Sequence, residues 1–167
     1  KGGQKTAQLT CLTDLMATTA DILGQKLPDN AAEDSFSFLP ALTGQKSEAS
    51  RRSIVHHSIN GSFAIREGSM KLELCADSGG WSDPRPGQAP AGSPASQLYD
   101  LSSDIAEQNN LIASKPEAAA KLEALLEKQI AEGRSTPGPA QKNAVEVVVR
   151  KPVPAAAKGA KGKKAKK

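Results

Sequence analysis

The sequence predicts an α+β fold: a small antiparallel sheet of three to four strands, with one helix before it and a C-terminal helix packed on it. Three observations support this prediction. Short alternating or β-branched runs follow one another between residues 53 and 101, separated by Asn-Gly and Gly-rich turns. A helical period of apolar residues occurs on either side of them. After residue 135 the composition shifts to Lys, Ala, Gly and Pro, which predicts a disordered basic tail.

The first predicted helix runs from Leu9 to Leu23, because apolar residues recur there at steps of three and four positions. Thr13 or Asp14 can accept the unpaired amide hydrogens of the first turn, and Gly24 can adopt the left-handed conformation that ends a helix. We expect Asp14 to act as a cap and not in catalysis. The predicted apolar face consists of Leu12, Leu15, Met16, Thr19, Ile22 and Leu23.

Residues 28–52 form a predicted connector with turn-forming residues at both ends and a short helical turn that stops at Gly44. Strands joined by tight turns follow it. Asn60-Gly61 favours a type I′ hairpin, since both central residues of that turn need positive φ. One face of the sheet is expected to be buried and the other solvated. The predicted strands are Ser53–Ser58, Phe63–Arg66, Met70–Cys75 and Gln97–Leu101.

Two further features are a long loop and a closing helix. Residues 76–96 form a Gly/Pro-rich loop around Trp81, longer than ordinary connections and therefore expected to be functional or disordered. The closing helix is predicted at Pro116–Glu132, with Ser114 as its cap and Gly133 at its end.

Charge and cysteine content limit the possible functions. The net charge is +4, and six lysines lie in the last ten positions, so the rest of the chain is close to neutral. A basic nucleic-acid-binding face is therefore not indicated for the folded part. Cys11 and Cys75 allow one disulfide, but two free or buried thiols are expected. No apolar run approaches the roughly 20 residues of a membrane span.

The histidines His56 and His57 are adjacent in a predicted strand, so their side chains point to opposite faces. They therefore cannot chelate one metal ion together in a regular strand. No other His or Cys lies at zinc-ligand spacing, and the sequence contains neither a Gly-rich phosphate loop nor a G-x-S-x-G elbow. The residues alone thus identify no catalytic residue and no metal site.

Four collinear segments within residues 10–138 carry a family resemblance. They are LTCLTDLMATTADILGQKLPDNAAEDSFSFLPALTG, RRSIVHHSINGSFAIREGSMKLEL, QLYDLSSDIAEQNNL and LIASKPEAAAKLEALLEKQIAEGRSTPG. In order, they resemble the C-terminal end of a sulfatase of the arylsulfatase type, in the alkaline-phosphatase-like superfamily. Met70 stands where Trp or Tyr is commoner in such enzymes, and Ile105 where Pro is usual.

The resemblance implies a sulfuric ester hydrolase with a formylglycine nucleophile, made from a C/S-x-P-x-R motif, and a calcium ion held by Asp and Asn side chains. Neither cysteine fits that motif, since LTDL follows Cys11 and ADSG follows Cys75. No catalytic or metal residue is therefore carried over. The resemblance implies only substrate-rim candidates for the organic part of a sulfate ester, carbohydrate or aryl: His56, His57 and Trp81. Alternatively, Trp81 anchors its loop on the sheet.

The resemblance also implies three parts. Residues 1–52 would be a helix and connector from the end of the sulfatase core domain, residues 53–134 the C-terminal subdomain, and residues 135–167 a linker and disordered Lys/Ala-rich tail. The expected partner is an upstream sulfatase catalytic core, encoded by a reading frame that continues before Lys1. A periplasmic or secreted location follows from the resemblance alone.

Two functions are compatible with the sequence. The first is the C-terminal portion of a sulfatase, inactive by itself. The alternative is a small non-enzymatic interaction module whose basic tail binds nucleic acid or anionic surfaces, mostly by phosphate neutralisation. Neither the substrate nor the oligomeric state follows from the sequence.

Overall fold

The sheet is the central feature of the structure, a computed structural model that describes residues 3, 5–45 and 51–151. Its four antiparallel strands form a meander in which each strand pairs with the next one along the chain. This confirms the α+β class and the four predicted strands, with small differences at their ends. The strands are β1 (Ser53–His57), β2 (Phe63–Glu67), β3 (Met70–Glu73) and β4 (Gln97–Asp100).

Helical segments precede and follow the sheet, as predicted. A single 3-10 turn leads directly into the first helix, so the helix begins later than the sequence period indicated. The short helical turn in the connector is also present. The bounds are Leu12–Asp14 for the 3-10 turn, Leu15–Ile22 for α1, Leu39–Leu42 for α2 and Pro116–Glu132 for α3.

The C-terminal end of α3 agrees with the prediction, whereas its N-terminal cap does not. The helix ends at Gly133, whose φ of 63° is the left-handed conformation expected of that glycine. Ser114 is not the cap, because Lys115 occupies that position without a capping side-chain bond. Instead, the Ser114 hydroxyl donates to the Leu111 carbonyl, which closes the turn before the helix.

The hydrophobic core lies between α3 and one face of the sheet. Ile65 and Leu98 on the strands and Leu126 on α3 are fully buried, and Leu72 and Leu122 are nearly so. Side chains at alternate strand positions share a face, which is why Ile65, Leu72 and Leu98 meet the helix together. Burying each such side chain contributes about 1.5–3 kcal/mol, so these few aliphatic contacts dominate the stability of the fold.

The turn between β1 and β2 differs from the prediction. We call residues 58–62 the hairpin turn. The amide of Gly61 donates to the Ser58 carbonyl, and Gly61 alone of the Asn60-Gly61 pair has positive φ, at 82°. A type I′ turn needs positive φ at both residues, so the predicted turn type is wrong. The loop between the paired residues Ser58 and Ser62 has three residues, and the third, Gly61, adopts the left-handed conformation that follows the turn.

The second face of the sheet is not simply solvated, as the alternation of polar residues had indicated. Ala64 and Tyr99 on that face are both less than a tenth exposed. Lys71 lies between them and is largely shielded, because it is paired with acidic side chains. The polar residues of this face therefore form a covered network.

The predicted apolar face of α1 is exposed and does not pack on the sheet. Thr18 and Ala20 are the buried residues of α1, and the helix contacts the rest of the fold through Asp14, Thr18 and the adjacent connector. Sequence period identifies an apolar face but not its partner, and here that face is exposed. We call it the α1 apolar face; it comprises Leu12, Leu15, Met16, Ile22 and Leu23, each more than half exposed.

Residues 135–151 contain neither helix nor strand. Val147 and Val149 nevertheless pack against the core. The rest of the predicted disordered tail, residues 152–167, lies outside the described residues, and the three-part domain division stays a prediction. Across residues 3, 5–45 and 51–151, no helix combines the length and apolar character needed to cross a membrane.

The core predicts a clear contrast between two leucine substitutions. Leu126→Ala should lower the free energy of unfolding by about 2–5 kcal/mol, because it leaves a cavity at a fully buried position. Leu23→Ala, at a position 65% exposed, should have little effect. Urea unfolding followed by circular dichroism measures both. Equal effects would contradict the position of the core.

Candidate functional site

The two predicted rim histidines lie at the end of β1 and on opposite faces of the sheet. The His57 ring packs edge-on against Phe63, with ring centroids 4.0 Å apart, on the same face as the core. His56 pairs with Ala64 and lies on the polar face. Because β1 is an edge strand, both histidines border one open groove along its free side. The structure thus brings them to one surface, but not to one metal site.

The surroundings of both imidazoles favour the neutral form. Partial burial lowers the pKa of His56, the Lys71 charge lowers it further, and Glu107 partly opposes this. Burial also lowers the pKa of His57, together with the positive charge of Lys151. Near neutral pH each ring can therefore donate one hydrogen bond and accept another, as contact with a hydroxyl group requires.

Trp81 lies on a loop organised by a buried carboxylate. Asp77, only 6% exposed, accepts hydrogen bonds from the amides of Gly79 and Gly87, at 2.8 and 2.9 Å. The Gln97 side-chain amide donates to the carbonyls of Cys75 and Asp77, which attaches the start of the loop to β4. The long loop is therefore held in place by specific contacts.

This loop also contacts the hairpin turn. The Asn60 amide donates to the Gly79 carbonyl at 3.1 Å. The approach is so close that a Cβ at Gly79 would lie 2.5 Å from the Ser58 hydroxyl, and φ at this glycine is 62°. Only glycine fits these two constraints. The hairpin turn and the tip of the Trp81 loop thus form one surface.

The Trp81 side chain itself is 80% exposed, next in sequence to Gly80, which approaches Ile59. Ile59 is also mostly exposed, at 66%. The alternative in which Trp81 anchors its loop on the sheet is therefore wrong, because polar contacts of Asp77 do that. An exposed indole can stack on a planar or sugar ring.

A polar network on the second face was missed by sequence reasoning. Lys71 donates to Glu107 at 2.6 Å and is also paired with Glu73 at 2.5 Å. Burial would lower the pKa of Lys71, but the bonds to Glu107 and Glu73 raise it. The expectation that this face of the sheet is solvated therefore fails at Lys71. Glu73 and Glu107 both lie in segments that carry the family resemblance. That resemblance was the feature of the sequence that could have pointed to this network.

The N-terminal segment is held by a second buried pair. Arg51 donates to both carboxylate oxygens of Asp14, at 2.5 and 3.2 Å, with their side chains 3% and 1% exposed. The Arg51 side chain also donates to the Asp34 carbonyl and lies 4.6 Å above the Phe36 ring. Burial would raise the pKa of Asp14, but hydrogen bonds from Arg51, Phe36 and Cys11 lower it. Asp14 thus combines the predicted capping contact, in which it accepts from the Cys11 amide at 3.0 Å, with a buried ion pair to Arg51.

In the ranges that the structure describes, the side chains do not form the metal site that the resemblance implies for a sulfatase. In the described part of the chain, no group of three or more His, Cys, Asp or Glu side chains could hold a metal ion. Cys11 and Cys75 are free thiols, and burial raises the pKa of Cys75 to about 11. A thiol with that pKa stays protonated and is a poor nucleophile. The structure therefore assigns no catalytic residue within the described ranges.

Comparison with known proteins identifies a relative. The chain is 37% identical over 117 residues to an N-acetylgalactosamine-6-O-sulfatase of Bacteroides thetaiotaomicron, a match covering 68% of this chain and 22% of that protein. No protein-family model matches the chain.

Solved structures agree with this relationship. A sulfatase from the glycosaminoglycan metabolism of Bacteroides thetaiotaomicron matches with a TM-score of 0.55 and 36% identity, over 69% of this chain and 24% of that one. A 2-O GAG sulfatase matches with a TM-score of 0.50 and 25% identity, over 70% and 24% of the two chains.

The fold and these matches relate the chain to one segment of proteins that are sulfatases. The chain is homologous to the sulfatase family and corresponds to the C-terminal portion of such a protein. It spans about a fifth to a quarter of the length of the relatives that it matches.

The Asp14–Arg51 pair predicts a pH-dependent loss of stability. Because the native pKa of Asp14 lies below that of the unfolded chain, its ionised form stabilises the fold above about pH 4. This contribution is lost as the pH falls through the native pKa. At neutral pH, Asp14→Asn should cost about 3–5 kcal/mol, because it leaves Arg51 buried and unpaired.

The measurement is the free energy of unfolding of the unmodified protein and of the Asp14→Asn variant between pH 7 and pH 2. The difference between them should shrink at the acidic end. Asp21→Asn makes the same chemical change at an exposed position of α1 and should have little effect. A constant difference at every pH would contradict the role given to the carboxylate charge.

Proposed function

We propose that this chain is the C-terminal portion of a sulfuric ester hydrolase of the arylsulfatase type, which cleaves sulfate esters in a longer protein and is inactive alone. The observation that carries the proposal is the 37% identity over 117 residues to an N-acetylgalactosamine-6-O-sulfatase. The nucleophile, a formylglycine, and the calcium ligands would come from a catalytic core outside these 167 residues, since neither cysteine here fits the required motif.

The α1 apolar face supports a catalytic core as the partner of this chain. Its exposed side chains form a run of large aliphatic residues on one short helical segment. Concentrated exposed apolar surface is typical of an interface. The relatives are about four times longer than the segment they share with this chain, so an intramolecular partner of sufficient size is available in a protein of that type.

The exposed side of the Trp81 loop supports a role in holding the organic part of the substrate. Trp81 offers a flat apolar surface, and neutral His56 and His57 offer hydrogen bonds. Two of the relatives are an N-acetylgalactosamine-6-O-sulfatase and a 2-O GAG sulfatase. We therefore favour a sulfated carbohydrate over a simple aryl sulfate as the substrate class.

The first test concerns the chain alone. Purified and supplied with calcium, it should release no 4-nitrophenol from 4-nitrophenyl sulfate and no sulfate from a sulfated N-acetylgalactosamine. The full-length Bacteroides relative, assayed in parallel, is the positive control. Turnover by this chain that survives further purification would contradict the proposal that the nucleophile lies elsewhere.

The second test uses the longer protein encoded when the reading frame is extended upstream of Lys1, which should contain a C/S-x-P-x-R motif. In that protein, Trp81→Ala should raise KM for the sulfated sugar about 3- to 10-fold, the equivalent of one ring contact, with little change in kcat. Trp81→Phe should retain most of the affinity, because it keeps an aromatic face. An unchanged KM in Trp81→Ala would exclude Trp81 from the substrate rim.

A further inference from the structure

The two edges of the sheet differ in how they are covered. At β4, the Leu98 amide donates to the Asn110 side-chain oxygen at 3.0 Å, and the Leu98 carbonyl accepts from the Leu111 amide at 2.7 Å. The segment after β4 therefore closes that edge. At the opposite edge lies β1, and among the described strands only β2 is its neighbour.

The register shows which backbone groups of β1 point outward. Hydrogen-bonded and non-bonded pairs alternate along an antiparallel pair of strands. The Ser58 amide donates to the Ser62 carbonyl at 3.0 Å, so these two residues form a bonded pair. Counting back along β1, His56 bonds to β2, whereas the amides and carbonyls of Val55 and His57 point away from it. Within the described residues, no hydrogen bond reaches these four outward groups.

The sequence of β1 lacks the usual protection of an exposed edge. Natural edge strands are protected by lysine, proline, a bulge or an inward-pointing charge. Ser53–His57 reads SIVHH, which contains neither lysine nor proline, and its register with β2 is continuous. The surroundings of its two histidines favour the neutral form. Such an edge is suited to pairing with another extended backbone.

The open side of β1 borders a groove of about 610 Å³. We call it the β1 groove. Val55 and Phe63 of the sheet, Ile130 of α3 and Val147 supply its apolar walls, and Cys11–Thr13 lie at its border. An extended segment in this groove can pair with β1 and place alternate side chains against the apolar walls.

The chain after α3 forms one wall of the groove without closing it. Asn143 donates to the Ile130 carbonyl at 2.6 Å, Val147 packs against the core, and Lys151 lies beside the hairpin turn. The Lys151 Cε is 3.3 Å from the position that a Cβ would occupy on Gly61. This segment therefore runs from the end of α3 to the hairpin turn, yet its described residues form no backbone hydrogen bond with β1.

Two buried polar atoms of residues that line the β1 groove have no partner. Gln129 Oε1 and Ser135 Oγ form no hydrogen bond with the described residues, although the Gln129 side-chain nitrogen donates to the Ser53 hydroxyl at 2.8 Å. Buried polar groups of a complete fold are nearly always bonded. A rotation of either side chain would turn its unpaired oxygen toward an occupant of the groove. Unpaired atoms here are what we expect of a surface from which one segment is missing.

The surroundings of the β1 groove favour a strand from a larger body as its occupant. Leu12, which is 84% exposed, belongs both to the groove and to the α1 apolar face. A single partner that meets both surfaces must be larger than a short peptide. A second copy of this chain would bring the same walls, Cys11–Thr13 and Val147, and both sets would have to fit around one pair of edges. A lone strand that projects from a catalytic core meets neither obstacle.

We propose that an extended segment of the catalytic core occupies the β1 groove and adds a fifth strand to the sheet at the free edge of β1. This inference rests on the proposed function, in which the core precedes this chain in a longer protein. Val55 and His57 each offer one backbone donor and one acceptor to the added strand. Its apolar side chains would pack against Phe63 and Val147. The pairing uses backbone groups of β1, so the two histidine side chains stay on opposite faces of the enlarged sheet.

Hydrogen exchange of single amides, measured by mass spectrometry with residue-level fragmentation, tests this pairing. In the isolated 167-residue chain, the Val55 and His57 amides should exchange at least about tenfold faster than the bonded His56 amide, because a bonded amide exchanges only after local opening. In the longer protein encoded upstream of Lys1, both outward amides should become at least about tenfold slower. The Leu98 amide, bonded at the closed edge, is the internal reference.

Substitutions at His57 separate its backbone from its side chain. His57→Pro removes the outward amide, a change that an edge strand tolerates when the nitrogen faces outward, whereas His57→Ala keeps the amide. Both variants of the isolated chain should melt at similar temperatures. In the longer protein, the Val55 amide should exchange at least about tenfold faster in His57→Pro than in His57→Ala. The control His56→Pro removes an amide bonded to β2 and should lower the melting temperature of the isolated chain.

Four results would overturn the inference. Slow exchange of the Val55 and His57 amides in the monomeric isolated chain would mean that another part of this chain already covers β1. Slow exchange that appears only as the isolated chain dimerises, followed by sedimentation, would assign the edge to a second copy. Equally fast exchange in the isolated chain and in the longer protein would leave the edge open, and equal exchange in the two His57 variants would exclude its amide from the pairing.

Sulfatase activity of the longer protein is measured separately. Activity in a protein whose β1 edge is unprotected would overturn the added strand and leave the proposed function standing. Protection of the β1 edge in a longer protein without sulfatase activity would overturn the proposed function and leave the added strand standing.

Discussion

The packing of α3 on one face of the sheet is the constraint on which the rest of the structure depends. The chain has only five aromatic residues, and just two of them, Phe63 and Tyr99, are buried, so Ile65, Leu98 and Leu126 must fill the centre. Alternation along the strands places these side chains on one face. The same alternation places His56 and Lys71 on the other face, and the hairpin turn lies at the end of the sheet.

A small aliphatic core leaves the peripheral segments to polar contacts. The Asp14–Arg51 pair holds the first helix and the connector. Arg150 bonds to Glu123 and Ser96 and so holds the chain that follows α3. The strength of such pairs depends on the direction and identity of the partner more than the strength of hydrophobic contacts does. They specify where each segment lies, while the core supplies most of the stability. The α1 apolar face points outward as a consequence, because Asp14 determines which side of the segment is buried.

The fold was largely predictable from the sequence because its signals are local. Alternating residues, glycine turns and the Pro116-to-Gly133 helix each depend on neighbours a few positions away. The opposite orientation of His56 and His57 followed from the same alternation. The errors concern partners that are distant in sequence. Arg51 lies 37 residues from Asp14, and Glu107 lies 36 from Lys71. Local reasoning therefore found the capping contact of Asp14 but not its ion pair, and it expected the face that carries Lys71 to be solvated.

The surface around the hairpin turn has features of a binding surface, although the described chain contains no catalytic residue. Gly79 and Gly61 permit two separate segments to approach the turn from outside the sheet. Neither approach adds to the core, since Trp81 and Ile59 stay exposed. A fold that requires glycine at close contacts, yet leaves its only indole in solvent, gains little stability from that arrangement. Under the proposed function, contact with a ligand or with another part of a sulfatase would give the exposed indole a physical role that the isolated fold does not provide.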